Sequence, residues 1–148
     1  MLCFPIPETE ELLYSVIARA RIVAGVIDHK PFLDLVFGHS NVIATIDLPS
    51  NVEAVVDNYH DSCCLTSNSL IYKHTLFPLF APFIEDSTRK KVIEWMKFSG
   101  KGAAQTATGR CASSVKAKTE LLVCPACLRE QIQTNGTLYV KRSWLAPS

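Results

Sequence analysis

Proline and glycine divide this chain into short apolar stripes with helical spacing, which leaves little room for any architecture except packed short helices. From about Glu10 to Val23, Leu12, Leu13, Val16, Ile17 and Ala20 recur at intervals of one, three and four, on one helix face. Pro7 precedes this stripe, Thr9 stands at the N-cap position, and Gly25 supplies a stop. Glu10 and Glu11 fall in the first turn, where the helix dipole favours acids. A second helix is predicted over Lys30 to Phe37, with Pro31 at the first helical position and Gly38 at the C-cap. Ser50 caps a third over Asn51 to Tyr59, and Ser67 to Thr75 forms a fourth. In Leu76 to Phe83, Pro78 and Pro82 break any long helix and leave a compact aromatic connector that belongs in the core. A fifth helix runs from Arg89 to Ser99, capped by Asp86 or Ser87 and stopped by Gly100, with Val92, Trp95 and Met96 facing inward. Residues 102–118 are rich in Ala, Ser and Thr and read as helical. Leu128 to Thr134 reads as a short helix, Asn135-Gly136 as a turn, and Thr137 to Val140 has strand composition. The expected fold is mainly α: a helical module over residues 1–118, then a partial zinc-finger segment, an incomplete knuckle, over 119–148. Two or three helices on short turns permit a helix-turn-helix, one way of presenting a helix to a DNA groove; an ordinary helical core accounts for the same periodicity.

At 148 residues and 48% hydrophobic content the chain suits one globular domain, or a core with a small module attached. Met1 to Pro5 offers neither a basic n-region nor an apolar h-region, so no signal peptide is expected. The longest apolar stretch, Leu70 to Ile84, is interrupted by Lys73, His74, Pro78 and Pro82 and is too short to span a bilayer. The expected location is the cytoplasm, where paired cysteines serve as metal ligands or core residues more often than as disulfides.

The net charge of +1 conceals a division. Residues 1–85 carry a net −6, while residues 86–118 carry +6 from Arg89, Lys90, Lys91, Lys97, Lys101, Arg110, Lys116 and Lys118 against Asp86 and Glu94. The basic stretch is the candidate for DNA and the acidic one for a protein partner, since acids oppose phosphate binding. The alternative is that the two stretches neutralise one another within the fold.

Cys124-Pro125-Ala126-Cys127 is the chain's clearest chemical motif. Two thiolates separated by two residues bend around one tetrahedral zinc, which takes four ligands. A dithiol redox site at a helix N-terminus is a second reading, and two structural cysteines a third. Within the chain, further ligands would come from Cys111, Cys63 or Cys64, or from His29, His39, His60 and His74; a histidine on an apolar segment, such as His74, is more often a satisfied core residue. No Gly-rich phosphate loop, carboxylate cluster for two metals or nucleophile elbow is present, so no enzyme is expected.

Phe4-Pro5-Ile6-Pro7 followed by Glu11-Leu12-Leu13-Tyr14-Ser15-Val16-Ile17-Ala18-Arg19 resembles the opening of the TniQ/TnsD family, target selectors of bacterial transposons. The likeness continues through Ala44-Thr45, Leu48-Pro49-Ser50, the whole Leu70 to Phe83 block, the Cys124/Cys127 pair and Tyr139 to Trp144. It implies a non-catalytic selector that binds DNA and recruits an ATP-dependent regulator of the AAA+ class, with no role for a membrane. It also implies Cys124 and Cys127 as zinc ligands. The family pattern places a second pair, Cys-x-x-His, beyond the first, where this sequence reaches Ser148, so half a finger is expected, from a shortened chain or a remnant.

Overall fold

The computed structural model describes residues 4–42, 45–100, 102–109 and 123–144. The first helix, α1 (Leu13–Val23), begins later than its apolar stripe suggests. Before it, the chain turns at Thr9-Glu10, where Glu11 N–H donates to the Glu8 carbonyl at 3.0 Å and Glu10 takes φ 61°. That left-handed residue interrupts the helical path, so Glu11 and Leu12 stay extended, and neither acid sits in a helical first turn. Instead, Leu12 N–H donates to the Val140 carbonyl at 2.8 Å, Arg142 N–H donates to the Glu10 carbonyl at 2.8 Å, and Glu11 bridges antiparallel to Lys141. The β-branched composition around Val140 is thus used for one bridge. It goes no further because the partner segment turns helical at Leu13.

α2 (His29–Phe37) ends as expected at Gly38, whose φ of 73° suits a residue without a Cβ. α3 (Val52–Val56) is shorter than its stripe. Asn58 donates through Nδ2 to the Ala54 carbonyl at 2.7 Å, closing the helix end, and Tyr59 turns away. Its hydroxyl donates to the Pro5 carbonyl at 2.9 Å and its ring meets Phe4 edge-on at 5.4 Å. α4 (Ser67–His74) is capped by the Thr66 hydroxyl, which accepts from Ser69 N–H at 3.2 Å. The two prolines of the connector permit only α5 (Phe77–Phe80) and a single 3-10 turn at Ala81–Phe83.

α6 (Asp86–Lys97) lays Val92 and Met96 in the core, with Trp95 partly buried beside them. Gly100 acts less as a helix stop than as a point of close approach: a Cβ there would lie 2.6 Å from Trp95 Cβ. α7 (Ala103–Ala107) is the described part of the Ala-rich segment; residues 110–118 lie outside the described residues. α8 (Pro125–Asn135) begins earlier than expected, with Pro125 in its first turn, and ends at Gly136 (φ 68°).

The core gathers around α3. Val52 and Val55 are sealed by α2, α4 and α6, which contribute Phe32 and Val36, Leu70 and Ile71, and Val92 and Met96. α1 adds Leu13, Val16 and Ala20, and the connector adds Phe77. The connection from α2 to α3 spans residues 38–51, and no helix-turn-helix is shown among the described residues. No strand forms there beyond the single bridge, and no described helix is long and apolar enough to cross a membrane.

Candidate functional site

Pro125 lacks an N–H that the first helical turn would leave unpaired, so the chain enters α8 directly after Cys124. Cys124 becomes the N-cap, and Cys127 sits one turn further on. The Cys127 amide, then the Ala126 amide and the Cys127 thiol, hold the Cys124 thiol below the usual cysteine range; its side chain forms no cap hydrogen bond. Cys127 is pushed the other way, by its contact with the Cys124 thiol and by that group's charge. Both side chains are exposed, so two sulfurs on one helical turn face solvent with Cys124 the more readily ionised.

Two thiols on one helical turn match in number and type half of the four donors that a zinc ion would take. Among the described residues no group of three or more His, Cys, Asp or Glu side chains gathers to hold a metal. His74 is occupied elsewhere, its Nδ1 lying 2.7 Å from the Glu11 carbonyl. His60 Nδ1 accepts from Ser62 N–H at 3.2 Å in a local turn beside Cys63 and Cys64. Cys111 lies outside the described residues.

Of the basic candidates, α6 carries Arg89, Lys90, Lys91 and Lys97. Arg89 pairs with Asp86 at 2.9 Å and Lys97 with Glu94 at 3.8 Å, both on the same helix. Lys90 and Lys91 are exposed and make no ion pair among the described residues. Lys101, Arg110, Lys116 and Lys118 lie outside the described residues.

A polar centre that the sequence reading did not anticipate ties the two ends of the described chain together. The fully buried Glu11 carboxylate accepts from Ser15 Oγ at 2.8 Å, Glu8 N–H at 2.9 Å and Arg19 Nη1 at 2.5 Å. Ser15 Oγ also accepts from Val140 N–H at 3.0 Å. Arg142 spans the junction from outside, donating to the Tyr72 carbonyl at 2.8 Å and pairing with Glu10 at 3.3 Å. Burial raises the Glu11 pKa against the opposing pull of these donors, and burial lowers that of His74. Because its acceptor is a carbonyl, the His74 ring carries a proton on Nδ1, and it is burial, working against that hydrogen bond, that disfavours the charged ring. The legible signal was the spacing of Ser15 and Arg19, four residues apart on one side of α1, with Glu11 a further four residues back in the extended entry to that helix.

The TniQ family model matches residues 2–148. The chain belongs to the TniQ family. It is also 37% identical over 145 residues to the Transposon Tn7 transposition protein TnsD of Escherichia coli. That match covers 98% of this chain and 28% of the relative, so the chain spans less than a third of that protein's length. The TniQ match includes both the Glu11 centre and the Cys124/Cys127 turn.

Proposed function

We propose that this TniQ chain is part of a transposition target selector, a non-catalytic protein that holds DNA and recruits an ATP-dependent regulator of the AAA+ class. The observation that carries the reading is the identity to a transposition protein across nearly the whole chain. DNA lies along α6, where Lys90 and Lys91 have no counter-ion among the described residues, and along the basic residues that follow it. The acidic N-terminal helices meet the regulator. Zinc is held by Cys124 and Cys127, whose amide-stabilised sulfur suits a thiolate ligand, with two further donors from outside the described residues. The protein works in the cytoplasm, where its DNA is.

The alternative with an observation behind it is a dithiol redox protein, because the opposed shifts of Cys124 and Cys127 also suit an attacking thiol and its partner. DNA affinity measured against salt separates the two. A selector's log affinity falls with log salt at about −0.9 per phosphate contact, and Lys90→Ala with Lys91→Ala shallows the slope by about 2. A flat response in the unmodified chain removes the DNA role.

A further inference from the structure

We propose that the cleft between α1 and α2 docks an amphipathic peptide segment bearing a carboxylate, which Arg21 receives. The cleft encloses about 390 Å³ between Tyr14, Ile17 and Arg21 of α1 and His29, Phe32 and Phe37 of α2. That volume accommodates the apolar anchors of one helix face, which recur at i, i+3 or i+4, and i+7.

Arg21 sets the chemistry of the occupant. Arg19, Arg89 and Arg142 each pair with a carboxylate of this chain, whereas Arg21 makes no ion pair or side-chain hydrogen bond among the described residues. It is half-buried against apolar walls, where reduced dielectric strengthens attraction to a counter-charge and its planar fork matches a carboxylate. Near the junction of the two walls, Ile22 in the last turn of α1 and Ile27 in the link to α2 are 75% and 91% exposed. A neutral or basic segment leaves the guanidinium uncompensated. A nucleic-acid phosphate would satisfy it but would leave the aromatic and aliphatic walls uncovered. The occupant is therefore a peptide with apolar anchors and an acid. This goes beyond the selector reading in naming the chemistry of a docked segment, and it stands whether or not the regulator supplies that segment.

The test titrates the full chain against fluorescein-labelled helical peptides of one design, with Leu anchors at i, i+4 and i+7 and Glu, Gln or Lys at one flanking position. The Glu peptide binds about tenfold tighter than the Gln peptide, as a charge-assisted pair requires, and the Lys peptide binds weakest. Arg21→Gln abolishes the Glu-over-Gln preference at unchanged circular dichroism and melting temperature, while Arg21→Lys keeps part of it. Equal binding of the three peptides, no saturable binding of the Glu peptide, or a preference that survives Arg21→Gln overturns the proposal.

Discussion

Glu11→Ala destabilises the chain by about 3–5 kcal/mol, because removing one member of a buried pair strands the other. Three donors lose their acceptor at once: Ser15 Oγ, Glu8 N–H and the Arg19 guanidinium, the last largely enclosed. The loss reaches the C-terminal segment as well, since the Ser15 hydroxyl that Glu11 orients is the acceptor for Val140 N–H. Denaturant melts measure the effect, and an Arg19→Ala background should absorb much of it, because the two residues share one interaction.

The same substitution should change how stability depends on pH. In the native chain two groups act in opposite senses. Glu11 has a raised folded pKa, so its contribution is fully present below its unfolded value near 4.5 and is lost as pH rises through the folded value. His74 has a lowered folded pKa, so its contribution is present above its unfolded value near 6.5 and is lost as pH falls through the folded value. Glu11→Ala removes the first effect and spares the second, because the His74 acceptor is the main-chain carbonyl of residue 11. Stability of the variant therefore falls as pH drops below about 6.5, more steeply than in the native chain, at up to about 1.4 kcal/mol per pH unit for one proton.

Phe77→Ala costs about 3–5 kcal/mol, the usual penalty for emptying a fully enclosed aromatic site. Phe77 is completely buried at the start of α5, with its ring edge-on to Tyr72 at 5.3 Å and its N–H donating to Thr75 Oγ1 at 3.1 Å. Pro78 and Pro82 keep the connector from extending as one helix, so the segment cannot slide to fill the void. The cost should spread toward the Arg142 junction, because the Tyr72 carbonyl that receives Arg142 belongs to the residue packed edge-on against Phe77. Phe77→Leu retains most of the volume and loses less. Thermal and denaturant melts of the two variants order them, and loss of the native fold in Phe77→Leu alone would contradict this account of the site.

How much of this was legible in the sequence follows from what each residue's partners are. Gly38 announced a helix end and Asn135-Gly136 a turn, because a left-handed glycine after a helix is a local requirement, met by the residue itself. His74 was read as a core residue and is one, since an apolar helix face leaves a polar ring only a main-chain acceptor. Glu11 was misplaced for the opposite reason. Near a predicted helix start, an acid satisfies the dipole rule without any tertiary partner, and nothing local reveals that Glu10 turns left-handed or that Val140 and Arg142 arrive from more than a hundred residues away. The Thr137 to Val140 composition was likewise strand-like, but a strand needs a partner as long as itself, and only Glu11 and Leu12 are extended opposite it. At the candidate site, the Cys124/Cys127 spacing was read directly, and the helix start at Pro125 that separates the two thiols in ionisation was not, because the helix was expected to begin only after the pair.

The central claim, that this TniQ chain serves target selection, is tested most directly by mapping insertions made by its transposon with and without the gene that encodes it. With the gene present, insertions should cluster at a recurring site, and Lys90→Glu with Lys91→Glu should disperse or abolish that cluster while the protein still accumulates. The same insertion pattern with and without the gene would contradict the account.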